Sequence, residues 1–429
     1  MTQRYAESGK HLKRALKSIP LGSQTFSKSI TQYPLGVSPL YIEKGAGSKV
    51  LDVDGNEYID FVNSLASITL GYCDKDVDQA VLEQLRNGVT FSLPHKLEVI
   101  VAEKIINLVP SAEKVRFGKN GSDATSGAIR IARAFTERDH VAVCGYHGWQ
   151  DWYIGSTTRN LGVPYSTQEL THKFQYNDIE SLKFLFDKNK NKIAAVIMEP
   201  MNVEFPKDGF LENVKKLAHE NGAVLIFDET ITGFRFAKGG AQEYFNVIPD
   251  LSTFGKGLAN GYALSAIVGR NNIMKKMEDV FFSGTFGGET LSLAAANAVL
   301  DKIVSQDILT DISEKGVWLL NRLNKFITNS EFENYYTTAG HPSWSFLLIS
   351  EGINSTDYEM KTLFLQEMFK RGILTLGSHN LSSAHSYADL EKLMTIYEEV
   401  LPILVNADRK NIVKKLLDCS PLAPLFKVR

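Results

Sequence analysis

The sequence predicts an α/β protein: a large domain with a mostly parallel sheet covered by helices, plus a smaller α+β domain. Three observations carry this. From about 115 to 268, short and nearly continuous apolar runs alternate with helical patterns, which is how strands buried on both faces of a parallel sheet read. The unusual polar residues of that stretch sit just after the apolar runs, at the carboxyl ends of the expected strands. Farther along, the pattern shifts to helices and alternating strands. A chain of 429 residues is long enough for two domains. The expected division is 1–71, a segment joining the small domain, then 72–311, the large domain, then 312–429, the rest of the small domain.

Near the start, Leu12, Leu16 and Ile19 recur at helical spacing among Lys10, Lys13, Arg14 and Lys17. An amphipathic surface helix explains this better than a targeting peptide. Residues 36–61 alternate apolar and polar around Asp54-Gly55-Asn56, the pattern of a hairpin or meander. Helices are expected from about Asp74 to Arg86, stopping at Gly88, and from Pro94 to Leu108, stopping before Pro110. A strand at Val115 to Phe117 leads into GKNGSDATSG and a helix with Ala124, Ala128, Ile131 and Phe135 on one face. The run HVAVC ends in GYHGW, and after a helix near 178–188, IAAVIM ends in Glu199-Pro200. A helix around 209–220 stops at Asn221-Gly222. AVLIF then ends in Asp228-Glu229, LSTF ends in Gly255-Lys256, and Ser265 to Val268 supplies a last strand. The remainder reads as strands within YYTTAGHPSWSFLLIS, a helix near 357–370 stopped by Gly372, and a helix near 387–403.

Composition excludes several classes of function. A net charge of −2 lacks the basic footprint of a nucleic-acid binder. No apolar run approaches a membrane span, and no signal-peptide pattern is present. Cys73, Cys144 and Cys419 lie far apart with no CxxC, so no metal site and no disulfide framework is expected. A reducing, cytoplasmic setting fits.

Open parallel sheets bind ligands at their carboxyl edge. Gly121-Ser122, Tyr146-His147, Glu199, Asp228 and Lys256 are therefore expected to converge. Asn120-Gly121-Ser122-Asp123 opens a helix, and its N–H groups, glycine and hydroxyl suit a phosphate; the same residues also suit a plain cap. Neither GxGxxG nor GxxxxGK[ST] occurs. Asp228 ends an apolar strand, where a carboxylate needs a positive partner. A protonated pyridine nitrogen would serve, and so would Arg235. Tyr146 suits stacking on a flat ring, or ordinary core packing. Lys256 lies between Gly255 and Gly257, where the backbone can turn tightly. Desolvation there would lower its pKa and ready the amine to attack an aldehyde; the alternative is a solvated loop lysine. Phosphate anchor, stacking aromatic, pyridinium carboxylate and Schiff-base lysine together describe a pyridoxal 5′-phosphate (PLP) site.

The segments KVRFGKNGSDA, GYHGW, VIMEP, IFDETITGFR, TFGKGLANG and SGTFGGET resemble the successive motifs of class III aminotransferases of PLP fold type I. The resemblance runs from about 15 to 405 and is strongest to the branch containing glutamate-1-semialdehyde aminomutase. It implies that Lys256 is the Schiff-base lysine and proton shuttle, that Asp228 pairs with the pyridine nitrogen, and that Tyr146 covers the ring. Gly121 and Ser122 would bind the phosphate, and His147 is counted with the cofactor-binding residues. Thr285 matches a threonine that reaches the phosphate of the neighbouring subunit, which implies a homodimer. Pyridoxamine 5′-phosphate would be the intermediate form of the cofactor.

Departures from the pattern bear on the substrate. Where the aminomutases carry an arginine that grips the substrate carboxylate, GSQTFSKS (22–29) offers only Lys28. An acidic residue of the aminomutases is replaced within GSHNLSS (377–383) by Asn380, and His379 or His385 would add further donors; each of the three equally suits a structural role. Glu204, five residues after Glu199, stands where aminotransferases of the class often carry a glutamate and aminomutases an asparagine; a plain surface glutamate is the alternative. The expected activity is transfer of an amino group from glutamate to an aldehyde or keto group of a sugar-like or sugar-acid metabolite, as in amino-sugar formation. The alternative is glutamate-1-semialdehyde aminomutase or another PLP-dependent isomerase. The expected partners are these small molecules and a second copy of the chain, with no nucleic acid and no membrane.

Overall fold

The computed structural model describes residues 3–423. Two compact units emerge. The first runs to Ala66, takes up Leu70–Asp74 and resumes at Thr310; the second holds Ser67–Thr69 and Lys75–Leu309.

The first unit opens with the helix Ala6–Ala15, which buries Leu12 but ends before Leu16 and Ile19, so those two do not extend its apolar face. Strands β1 (Ile42–Ala46), β2 (Lys49–Asp52) and β3 (Glu57–Asp60) then form an antiparallel meander. Its second turn is closed by Asp52 Oδ1, which accepts from the N–H groups of Asp54 and Asn56 at 3.0 and 2.7 Å. Gly55 takes the left-handed φ of 82° that this turn demands.

The second unit is built on β4 (Lys114–Gly118), β5 (His140–Cys144), β6 (Thr171–Lys173), β7 (Ile193–Met198), β8 (Val224–Asp228), β9 (Leu251–Phe254) and β10 (Ser265–Gly269), in the order β4-β10-β9-β8-β7-β5-β6. The pairs from β6 to β9 are parallel. Strand β10 runs antiparallel to both β9 and β4. Every residue of β7, β8 and β10 is buried, which is why these strands read as unbroken apolar runs. Successive residues still go to opposite faces. Val141, Val143, Ala195, Ile197 and Ile226 pack with Ala124, Ala128 and Ile131 of the helix Gly121–Thr136. Ala142, Val196, Met198, Leu225 and Phe227 face Leu182, Leu185, Val214 and Ala218 of the helices Ile179–Lys188 and Phe210–Glu220. Each Val, Leu, Ile, Phe or Met among them contributes roughly 1.5–3 kcal/mol on burial, and each alanine less. The face of Gly121–Thr136 stops short of Phe135, which is exposed.

The helix Thr290–Ser305 also belongs to this unit and is not legible in the sequence. Its run TLSLAAANAVLDKIVS is apolar on most sides and largely buried, so no narrow stripe marks it. The long helix Ile308–Asn329 follows it across the unit boundary.

The first unit then completes itself with β11 (Tyr336–His341), β12 (Trp344–Ile349), β13 (Ile373–Leu374) and β14 (Ser378–Asn380). β12 lies antiparallel between β11 and β14, while β13 extends the first meander parallel to β3. The helices Asp357–Lys370 and Tyr387–Arg409 each begin with a capping box, Thr356 with Glu359 and Ser386 with Asp389. The second passes through Pro402 and runs six residues beyond its expected end. No helix among the described residues is long and apolar enough to cross a membrane.

Candidate active site

Strand β8 delivers Asp228 at its carboxyl end, and both carboxylate oxygens are hydrogen-bonded. Oδ2 lies 2.9 Å from His147 Nδ1, while Oδ1 accepts from the N–H and hydroxyl of Thr230 at 3.1 and 2.6 Å and from Thr253 Oγ1 at 3.1 Å. Burial by itself pushes an acid up, but His147 and Thr230 outweigh it and hold Asp228 below its ordinary value. Asp228 does not pair with Arg235. That guanidinium is buried with Nη2 toward Thr69 Oγ1 at 3.4 Å, and burial lowers its pKa to about 10. Next door, Glu229 turns away. Its oxygens accept from Thr232 Oγ1 at 2.6 Å and from the N–H groups of Ala241 and Gln242 at 2.6 and 2.8 Å. Burial raises its pKa on balance despite those bonds. The two adjacent carboxylates thus divide their work, one held charged at the strand end and one pinning the following loop.

Strand β9 delivers Lys256. Gly255 is extended (φ −172°), and Lys256 then adopts φ 41° to open a single 3-10 turn, Lys256–Ala259. A non-glycine residue in that region costs of order 1–3 kcal/mol, which the surroundings must offset. The lysine is half-buried. A Cβ on Gly257 would lie 2.6 Å from Thr69 Oγ1. One on Gly121 or on Gly255 would lie 3.1 or 3.3 Å from the same methyl, Cγ2 of Thr230. The phosphate-type helix start and the lysine turn therefore meet around Thr230, which itself bonds Asp228. Thr230 and Thr253 lie within quoted motifs or strands, yet nothing in a linear reading distinguishes them from other threonines.

The loop after β5 is tied in from three directions. His147 reaches Asp228 and, through Nε2, the Cys144 carbonyl at 3.1 Å. The N–H of Tyr146 donates to Glu199 Oε2 at 3.0 Å, and Thr125 Oγ1 donates to the His147 carbonyl at 2.8 Å. A Cβ on Gly148, at φ 102°, would fall 2.3 Å from Ser122 Oγ, so only glycine lets this loop lie against the helix start. The Trp149 N–H donates to Ser122 Oγ at 3.3 Å. The Tyr146 ring stands edge-on to Tyr153 and is 39% exposed, so it is available to a ligand. Asn120 and Asp123 form a full capping box, which leaves the N–H groups of Gly121 and Ser122 outside that exchange. Helix-start N–H groups, an exposed ring, a buried carboxylate held charged and a half-buried lysine fit PLP in donor set and in charge.

The remaining expected residues lie apart. Thr285 is exposed in an irregular segment of the second unit, and Glu204 is exposed in the loop beyond Glu199. Lys28, His379, Asn380 and His385 belong to the first unit. Lys28 is exposed at the end of a one-turn helix, Phe26–Lys28. His379 is fully buried between Ser345 Oγ at 3.0 Å and the Tyr397 hydroxyl at 2.8 Å, and burial lowers its pKa to about 3. His385 is likewise buried, against Ser382 and the Asp60 carbonyl, and lowered to about 4, burial being the main cause. Asn380 donates to the Val62 carbonyl at 2.7 Å, joining β14 to the residues just after β3. Both rings are thus consumed by the framework of their own unit, a physical reason not to count them among free donors.

Known proteins match this chain over most of its length. The sequence model for Aminotransferase class-III matches residues 33–380. A 3-aminobutyryl-CoA aminotransferase from Cloacimonas acidaminovorans is 34% identical over 392 residues, 89% of this chain and 91% of that protein. A glutamate-1-semialdehyde 2,1-aminomutase from Methanosarcina acetivorans is 35% identical over 415 residues, 88% of this chain and 97% of that protein. Among solved structures, the PLP internal aldimine form of the FumI protein of a Sphingopyxis species superposes with a TM-score of 0.87. It is 26% identical, with 96% of this chain and 98% of that chain covered.

Proposed function

The chain belongs to the class III aminotransferases and is a PLP-dependent aminotransferase, and from that premise we propose that it moves an amino group from glutamate to an aldehyde or keto carbonyl of a sugar-like or sugar-acid metabolite. PLP bound in the site would supply the electron sink that amino transfer needs. In the proposal, Lys256 would hold the cofactor through Nζ and would move a proton at that same amine during transfer. Asp228, kept charged by His147 and Thr230, would hold the pyridine proton. Gly121 and Ser122 present N–H groups to the phosphate, and Tyr146 covers the ring face. Thr285 reaches the phosphate of a second copy, which makes the active enzyme a homodimer. The high exposure of its segment supports that reading. A cytoplasmic setting is proposed with it, since Cys73, Cys144 and Cys419 are all free.

One observation carries the choice of acceptor. Between Gly22 and Ser29 there is no arginine, and the single cation, Lys28, is exposed among hydroxyl-bearing residues. An aminomutase must retain an intermediate bearing one carboxylate. Losing the charge-assisted grip sacrifices roughly 1.5–3 kcal/mol, about one to two orders of magnitude in retention. Lysine restores the charge without the bidentate fork. The similarity to the Methanosarcina acetivorans aminomutase favours the second reading, isomerisation of glutamate 1-semialdehyde. The two separate cleanly. Glutamate with a panel of sugar aldehydes and ketoses should give an aminated product, while glutamate 1-semialdehyde alone should give little 5-aminolevulinate. Efficient turnover of the semialdehyde with no second substrate would establish the mutase instead.

A further inference from the structure

We propose that Arg116, Lys119 and Arg130 form a clamp that presets the segment Phe281–Glu289 and so positions Thr285 for the cofactor phosphate of a second subunit. This rests on the reading, above, that Thr285 makes that contact.

The segment joins the end of β10's following turns to the helix Thr290–Ser305 and has no strand or helix of its own. Phe281 is 82% and Phe286 59% exposed. Such a stretch pays a large entropy cost to hold one shape, yet both of its ends are held. Arg130 Nη1 donates to the Phe281 carbonyl and Arg116 Nη2 to the Phe282 carbonyl, both at 2.9 Å. The Phe282 ring lies over two glycines, where added Cβ atoms would come within 3.5 Å at Gly118 and 2.8 Å at Gly127. At the far end, Lys119 Nζ donates to Glu289 Oε2 at 3.0 Å. Glu289 in turn caps Thr290–Ser305 through the N–H groups of Leu291 and Ser292 at 2.6 and 3.2 Å. Between the ends, the N–H groups of Gly287 and Glu289 donate to the carbonyls of Gly284 and Phe286 at 3.0 and 3.1 Å, folding the chain around Thr285.

The two arginines are exposed, so solvent competes for their bonds. The Lys119–Glu289 pair is the firmer end, its side chains only 23% and 15% exposed. Burial alone would raise the Glu289 carboxyl, but Ser292, Lys119 and Leu291 together draw it below its ordinary value. All three cations come from β4, its end, and the helix Gly121–Thr136, the elements that present Gly121 and Ser122. One rigid block therefore carries the phosphate site of its own subunit and the limb offered to the next.

The test is the rate of PLP release from the holoenzyme, read by trapping free cofactor, in Thr285→Ala, Glu289→Gln, Arg130→Met and the doubles with Thr285→Ala. Glu289→Gln keeps an oxygen for the helix cap, so the fold survives the loss of charge. Glu289→Gln should speed release about tenfold, the size of one charge-assisted bond, and Arg130→Met, whose bond is exposed, by roughly two- to fivefold. Added to Thr285→Ala, neither should speed it further, because the clamp acts through that threonine. Arg130→Lys should restore most of the wild-type rate, and Lys104→Met, which breaks an unrelated surface pair with Asp301, should leave it unchanged. Additive effects in the doubles would overturn the clamp while leaving Thr285's contact standing. A Thr285→Ala variant that holds PLP as firmly as wild type would overturn both.

Discussion

Asp228 in the second unit and His379 in the first are both nearly inaccessible to water, yet burial acts on them to opposite ends. Asp228 is surrounded by donors, His147, Thr230 and Thr253, and stays charged in spite of its desolvation. His379 meets only the hydroxyls of Ser345 and Tyr397, and burial drives it neutral. Burial of a polar group does not by itself signal function. What separates a site from a scaffold is whether the neighbours preserve a charge that only a ligand would need, because a charge with no such use is more cheaply given up. Glu229, beside Asp228 in the chain, falls on the scaffold side of that division, its bonds spent on the loop it pins.

Three substitutions test the contrast, beginning with the largest effect. Lys256→Ala should cut amino transfer by at least about 10⁴-fold, since it removes the covalent anchor and the acid–base group together. Borohydride reduction of the wild-type holoenzyme should fix the cofactor on Lys256 and nowhere else, and a label mapped to another lysine would dissolve the site side of the comparison. Asp228→Asn keeps size and several hydrogen bonds but abolishes the charge, so kcat should fall about 10- to 100-fold. The thermal midpoint should move far less. Equal activity in Asp228→Asn would mean that the charge so carefully kept has no ligand to serve.

The smallest effect is expected at His379 and appears in stability, with kcat untouched at neutral pH. Its folded pKa lies near 3 and an unfolded histidine titrates at about 6.5. Between these values the unfolded chain binds more protons. The stability this histidine contributes is therefore complete above about 6.5 and is lost as the pH falls toward 3, at about 1.4 kcal/mol per pH unit. Asp228, with its pKa held low, contributes stability that is lost only below about 4. His379→Gln should flatten the fall in denaturation midpoint between pH 6.5 and 5 while leaving Lys256 chemistry intact. A collapse of kcat with an unchanged pH profile of stability would instead move His379 into the site.

By itself the sequence determined the layered α/β plan and the strand ends on which Asp228, Lys256, Tyr146 and the Asn120–Asp123 cap would fall. It did so because the period of apolar residues records which faces are buried, and a polar residue that interrupts an apolar run marks where the strand leaves the core. Tertiary structure alone decided the rest. The direction of β10 was not encoded, since a strand buried on both faces reads alike in either sense. The helix Thr290–Ser305 carried no stripe because it is covered on most sides. The partner of Asp228 proved to be His147, 81 residues away, and not Arg235, which is near in sequence but turned toward Thr69. His379 and Asn380 were placed in a short strand, where the His379 ring and the Asn380 amide donor are bonded inside the first unit. Local patterns report burial, which each residue undergoes where it stands. Partnership is settled only when distant strands close on one another and each buried polar atom takes the neighbour that closure provides.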